Sequence, residues 1–291
     1  MADWITRLAG LLPESAGGIA ALRAELDDRV ARIPVELNEY GFDPWGFNPE
    51  AFKNLILPSA ILYRYWFRCR TIGLERLPQG RLLLIGNHAG QVAFDGMMIT
   101  TALLLEAEPP RLGRAMGEYW LGALPWLSIM MERSGSAVGT RKTCVDMLNK
   151  DECTLAFPEG VRGMNKVYAD AYKLMPFGLG FMRLALETNT PIIPVSVVGS
   201  EEQNPGIANF ESLGRMLGMP AFPITLTFPW LGPFGMLPLP VRYHIEFGEP
   251  LYFEGDPHDD DDVIQAKVDV VRAAISKQLD EGRERRESIF L

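Results

Sequence analysis

An α/β fold is predicted: a mixed, largely parallel central sheet covered by helices, with an amino-terminal helical appendage. Two features carry this expectation. Short uninterrupted apolar runs stand at residues 82–85, 155–157 and 192–198, and each ends in a polar cluster containing glycine. Stretches of helical periodicity lie between them, at 97–105 and 180–188. Strands that are apolar on both faces and alternate with helices belong to sheets covered on both sides. Composition agrees, since 47% of the 291 residues are hydrophobic and 22% charged, the balance of a folded chain rather than a disordered one.

Taken in order, residues 1–75 are expected to form a helical, membrane-associating segment and residues 76–291 the α/β domain. Ile19, Leu22, Leu26, Val30 and Ile33 recur at helical spacing, and Pro34 stands near the end of that helix. An aromatic, turn-rich loop follows at 40–49. A second helix is expected from about residue 50 through the Trp66 region, kinked or broken early at Pro58. Its end is aromatic and basic, with Tyr63, Tyr65, Trp66 and Phe67 beside Arg64, Arg68 and Arg70. Such a segment can seat a protein on a membrane surface, or pack on the domain itself. Residues 222–240 offer the same choice, with Phe228, Trp230, Leu231, Phe234, Met236, Leu237 and Leu239 among prolines that forbid a continuous helix. No run reaches the roughly 18 apolar residues of a membrane span. Later strands are expected at 224–228 and 243–247. The last segment is a helix whose acidic start (Asp259 to Asp262) and basic end (Arg283, Arg285, Arg286) complement its dipole. Ile264, Val268, Val271 and Ile275 give it one apolar stripe.

Several function classes are excluded or disfavoured. The formal charge of −9 has the wrong sign for a dedicated duplex-DNA binder, so no nucleic-acid partner is expected. Cys69, Cys144 and Cys153 follow no metal-ligand spacing and read as reduced thiols, and the start of the chain lacks a secretory signal. The expected location is therefore cytoplasmic, peripherally attached to the inner face of a membrane. No G-x-G-x-x-G follows a strand and opens a helix, which disfavours a dinucleotide cofactor. No metal and no cofactor is expected.

Ligands of open α/β sheets bind beyond the carboxyl ends of the strands, so the three terminal clusters are the place to look for chemistry. After the first run comes Asn87-His88, with Asp95 seven positions beyond the histidine. A histidine at a strand end can act as general base, and an aspartate on its far nitrogen fixes the useful tautomer. After the second run comes Pro158-Glu159-Gly160-Val161-Arg162. There glycine permits a tight turn and Arg162 offers a planar fork for phosphate or carboxylate.

Together these blocks resemble the glycerolipid acyltransferase family, the acyl-glycerol-phosphate and lysophospholipid acyltransferases. Two further blocks match in order: Glu132-Arg133-Ser134-Gly135-Ser136, where the family has an acceptor-binding block, and Ile193-Pro194-Val195-Ser196-Val197-Val198-Gly199. The spacing departs from the family's, with six residues rather than four between His88 and Asp95. Gly178, where the family often has lysine, follows Pro176-Phe177; Lys166 and Lys173 are the alternative sources of charge. The resemblance implies His88 and Asp95 as catalytic residues, and Glu159, Gly160, Arg162 and Arg133 as substrate-binding ones. It implies a lipid acceptor, an acyl thioester donor as co-substrate (acyl-CoA or acyl-ACP) and an acyl carrier protein as a possible partner. The acyl chain needs an apolar groove, which Met97, Met98, residues 103–105 and residues 120–126 could line, although plain core is the favoured reading for each of them. A lipid esterase or thioesterase and a non-catalytic lipid-binding module are the rival readings; the first lacks a G-x-S-x-G nucleophile elbow.

Overall fold

A computed structural model describes residues 18–119, 122, 125–216 and 221–290. The expectations for residues 1–17, and for Trp120, Leu121, Ala123 and Leu124 as groove lining, lie outside the described residues.

The strands are β1 (Arg70–Ile72), β2 (Leu82–Gly86), β3 (Gly113–Gly117), β4 (Ala137–Val138), β5 (Cys153–Ala156), β6 (Ile192–Val198), β7 (Gly206–Phe210), β8 (Phe222–Thr225) and β9 (His244–Phe247). Seven of them form one sheet in the order β1-β9-β6-β2-β5-β3-β4. β6, β2, β5, β3 and β4 run parallel, while β9 lies antiparallel to β6 and carries β1 parallel to itself. The mixed, mostly parallel sheet is thus as expected. The principal helices are α1 (Gly18–Ala31), α2 (Pro49–Ile61), α3 (Phe94–Leu105), α4 (Pro125–Arg133), α5 (Arg141–Leu148), α6 (Val161–Met164), α7 (Gly180–Thr188), α8 (Ser200–Gln203), α9 (Glu211–Met216) and α10 (Asp261–Arg285).

Strand alternation divides the core between two faces. Leu82 and Leu84 of β2, with Val195 and Val197 of β6, pack against α1, α2 and α3 through residues such as Leu26, Phe52 and Met98. Leu83 and Ile85 turn the other way, toward Phe181 of α7 and the Ile264, Val268, Val271, Ile275 stripe of α10. Local signals set the helix starts. Asn48 caps α2, its Oδ1 accepting Ala51 N at 2.8 Å, and Pro49 takes the first helical position, where no N–H is missed.

Two expectations are refined and one choice is narrowed. The second helix ends at Ile61 and passes into a π-helical turn over Leu62–Trp66, with Pro58 held inside it. The strand expected at 224–228 is β8, and it pairs with β7 in a separate two-stranded ribbon. Pro223 within it has no N–H for a sheet ladder, which suits an edge position. Of the two readings open for the aromatic and basic stretch after α2, packing on the domain holds for part of it, while Trp66 and Arg70 stay exposed. Tyr63 and Phe67 are buried, Arg64 grips Glu25 through two bonds of 2.7 and 2.8 Å, and Arg68 Nη2 donates to Pro240 O and Phe290 O. The described part of the 1–75 segment therefore shares its core with the sheet, and β1 is a strand of that sheet.

Candidate active site

Because β6, β2 and β5 are adjacent and parallel, their carboxyl ends deliver the three polar clusters to one place. Asn87 extends the β2–β6 ladder with its side chain: Oδ1 accepts Val197 N at 2.8 Å and Nδ2 donates to Val197 O at 3.2 Å. The following residue, His88, is thereby pinned at the sheet edge.

His88 Nδ1 lies 2.7 Å from Oδ2 of Asp95, a fully buried residue in the first turn of α3. The carboxylate also accepts Ala89 N at 3.0 Å and Gly96 N at 2.7 Å, so it is an acceptor held in place and Nδ1 carries the proton. Nε2 is left as the basic atom, and the ring lines an open groove. The six-residue spacing is absorbed by left-handed conformations at Gly90 (φ 88°) and Gln91 (φ 63°). Gln203 Nε2 secures that turn by donating to Gly90 O and Val92 O at 3.0 and 2.9 Å. A Cβ at position 90 would stand 2.2 Å from Gln203 Nε2, so only glycine fits. Phe157 stacks on the imidazole, centroids 4.3 Å apart and planes 13° from parallel.

Glu159 sits behind the histidine. Its Oε1 accepts His88 N at 2.9 Å, its Oε2 accepts Met175 N at 2.7 Å, and Lys166 Nζ stands 3.9 Å from Oε2. Lys166 is itself buried and paired at 2.7 Å with Glu201. Burial pushes both carboxyls above their ordinary value, against the pull of Lys166 and the N–H donors. Burial likewise draws His88 toward the neutral form. The charge and hydrogen bond of Asp95, then Glu159 and Glu118, outweigh it, and the net displacement is upward from 6.5.

The structure brings His88, Asp95 and Gly160 together at the groove or its wall, but not the other three expected residues. Glu159 has both oxygens occupied by backbone N–H groups and is 1% exposed, so it positions the His88 loop rather than meeting substrate. Arg162 lies on α6, where Val161 and Met164, with the following Asn165, line the groove; the arginine points off that face and donates to Pro176 O at 3.1 Å. Arg133, at the end of α4, donates to Gly46 O at 3.0 Å and lies over the Phe42 ring. The alternative cations are likewise engaged: Lys166 is in the buried pair and Lys173 bonds Asp170 at 2.8 Å.

The groove holds about 670 Å³, within the roughly 300–1,000 Å³ of small-molecule sites. Its walls are mostly apolar: Phe52, Leu55 and Ile56 of α2, Met97 of α3, Met130 and Met131 of α4, and Phe228 and Met236 of the segment after β8. Met98, Leu103, Leu104 and Leu105 are core, the favoured reading, whereas Met97 lines the groove. Gln91 and Glu118 are among the polar lining residues that the sequence does not single out. Gln91 follows the histidine in a loop whose reversal is invisible in one dimension. Glu118 follows β3, whose sequence Gly113-Arg114-Ala115-Met116-Gly117 carries no strand signal.

Comparison with known proteins agrees on one family. The acyltransferase family model matches residues 68–198. An uncharacterized protein of Mycobacterium leprae is 35% identical over 283 residues, 95% of this chain and 75% of its own length. The chicken DGAT1/2-independent enzyme synthesizing storage lipids is 24% identical over 217 residues, 73% of this chain and 60% of the relative. Among solved structures, the 1-acyl-sn-glycerophosphate acyltransferase PlsC of Thermotoga maritima superposes with a TM-score of 0.55 at 16% identity, covering 81% of both chains. That likeness is one of fold.

Proposed function

Because the chain belongs to the acyltransferase family, of the glycerolipid type, we propose that it transfers a fatty acyl group from an acyl thioester to a hydroxyl of a lipid acceptor, with His88 as general base. The observation that carries this reading is the His88–Asp95 pair at 2.7 Å opening on an apolar groove. Nε2 takes the proton of the acceptor hydroxyl as its oxygen attacks the thioester carbonyl carbon. The imidazolium that forms is stabilised by Asp95. Collapse of the tetrahedral species breaks the carbon–sulfur bond, and the leaving thiolate takes the proton from the imidazolium. An ester and a free thiol result. The groove receives the acyl chain, which removes apolar surface from water.

Thiol release from acyl-CoA or acyl-ACP tests the reading. Release that depends on added lipid acceptor, with ester product appearing at the same rate, is expected. Release without acceptor would make the protein a thioesterase, and the absence of release with either donor would leave a binding module.

The same reading requires access to a lipid surface, and the residues after β8 are suited to it. No charged residue occurs from 216 to 241, and Leu226, Trp230, Leu231, Phe234 and Leu237 are exposed. Phe228 and Met236 of the same stretch line the groove, so a lipid tail would pass from the bilayer to the site along one apolar path. No helix among the described residues is long and apolar enough to cross a membrane, so attachment at the surface is the mode proposed. The double variant Trp230→Ala/Phe234→Ala is expected to bind phosphatidylcholine vesicles roughly tenfold more weakly or worse, in co-sedimentation, with an unchanged circular dichroism spectrum. Equal partitioning of variant and parent would remove this segment from the membrane contact.

A further inference from the structure

We propose that the acceptor is an uncharged glycerolipid alcohol and that Glu118 is the residue that selects it. This deepens the acyl-transfer reading of the His88 groove and rests on it.

The groove is built without positive charge. Among the described residues that line it, His88 and Glu118 are the ionisable ones. The walls from 115 to 132 and from 216 to 241 contain no Lys or Arg in sequence. Arg133, Arg162, Lys166 and Lys173 are engaged elsewhere, as described above. A phosphate is ordinarily held by guanidinium forks, ammonium groups or several N–H donors. Besides the histidine, the ionisable side chain in this groove is a carboxylate.

Glu118 makes no hydrogen bond and no ion pair with another described residue, and it is exposed in the groove next to Gly160. Its Oε1 would stand 3.3 Å from a Cβ built on that glycine. Gln91 is 7% exposed; its Nε2 donates to Lys166 O at 2.8 Å, which fixes the orientation of the amide and leaves Oε1 buried and unpartnered. A carboxylate exposed in the groove, with a polar amide also in its lining, complements the free hydroxyls of a glycerol backbone. The carboxylate opposes a phosphate on the carbon next to the reacting hydroxyl. The donor escapes this filter, because the phosphates of coenzyme A or a carrier protein stand a whole pantetheine arm away from the thioester carbonyl.

The test compares kcat/KM for monoacylglycerol and for lysophosphatidate of the same chain length, with one acyl-CoA donor. Measurement is at a pH well above the His88 titration, so that the effect of Glu118 on the imidazole does not enter. The parent is expected to favour monoacylglycerol by ~10-fold or more. Glu118→Lys is expected to shrink or invert that ratio by raising transfer to lysophosphatidate, and Glu118→Gln to shrink it by less. Glu118 is exposed, so neither substitution disturbs the core. A parent that prefers lysophosphatidate, or a ratio untouched by Glu118→Lys, overturns the inference while acyl transfer itself stands. Transfer to neither acceptor overturns both.

Discussion

Replacing His88 by alanine is expected to lower acyl transfer by ~10²–10⁴-fold, the usual contribution of a positioned general base, with the thermal unfolding transition largely retained. Asp95 is not orphaned in that variant, because Ala89 N and Gly96 N still bond its carboxylate. Asp95→Asn is expected to lose a comparable factor for a different reason. The amide keeps the shape but no longer stabilises the imidazolium, and it can select the wrong tautomer. The pH profile separates the two roles. His88 must be neutral to accept a proton and is held above 6.5, so kcat/KM should fall on the acid side through a midpoint above 6.5. Removing the Asp95 charge takes away the principal influence raising it, so the residual activity of Asp95→Asn should have its acid limb at lower pH. A His88→Ala variant with near-parental kcat/KM, or an acid limb that ignores Asp95, would remove the dyad from the chemistry.

How much of this is legible in the sequence depends on whether a residue's partners are local. β2 and, apart from Ser196, β6 are apolar, so their pattern alone marks buried parallel strands. His88 and Asp95 share one loop, and their pairing follows from chain proximity. β3 is hidden because two glycines and an alanine are poor strand formers and an arginine breaks the apolar run; that Arg114 is tolerated inside only because Asp43 and Glu152, 71 and 38 positions away, meet it there. With β3 hidden, so is Glu118, the residue after Gly117 at its end. Arg162 stands out for its chemistry, but the direction of a side chain on α6 follows from which face of that turn meets the groove. The two aromatic segments illustrate the same limit. Tyr63 and Phe67 are buried, and Glu25 and the carbonyls of Pro238, Pro240 and Phe290 receive the polar ends of Arg64, Trp66 and Arg68, although the Trp66 ring stays partly exposed, whereas Trp230 and Phe234 remain on the surface.

Arg114 is where fold and site meet, and Arg114→Met should be strongly destabilising. Its guanidinium is wholly buried, with Nη2 2.6 Å from Asp43 Oδ2, Nε 2.8 Å from Glu152 Oε2 and Nη1 3.4 Å from Gly135 O. Trp45 covers one face, its ring centroid 4.6 Å from Cζ. These contacts tie β3 to the loop that precedes α2 and to the glycine between Ser134 and Ser136, so three walls of the groove hang on one cation. Such an ion cluster contributes little net stability compared with a well-packed apolar replacement of the whole, because desolvation offsets the attraction. Removing the cation alone is different, since Asp43 would be left buried and charged. The expected loss is about 3–5 kcal/mol, or ~6–20 °C in Tm for a chain of this size. Asp43 cannot simply be deleted in compensation, because its Oδ1 also accepts Trp45 N and Phe47 N, both at 2.8 Å. Asn at that position keeps the acceptor and sheds the charge, so Arg114→Met/Asp43→Asn should regain part of what Arg114→Met loses. A loss below about 1 kcal/mol for the single variant, in the range of exposed ion pairs, or a double variant no more stable than the single, would show that buried charge is not what governs this junction.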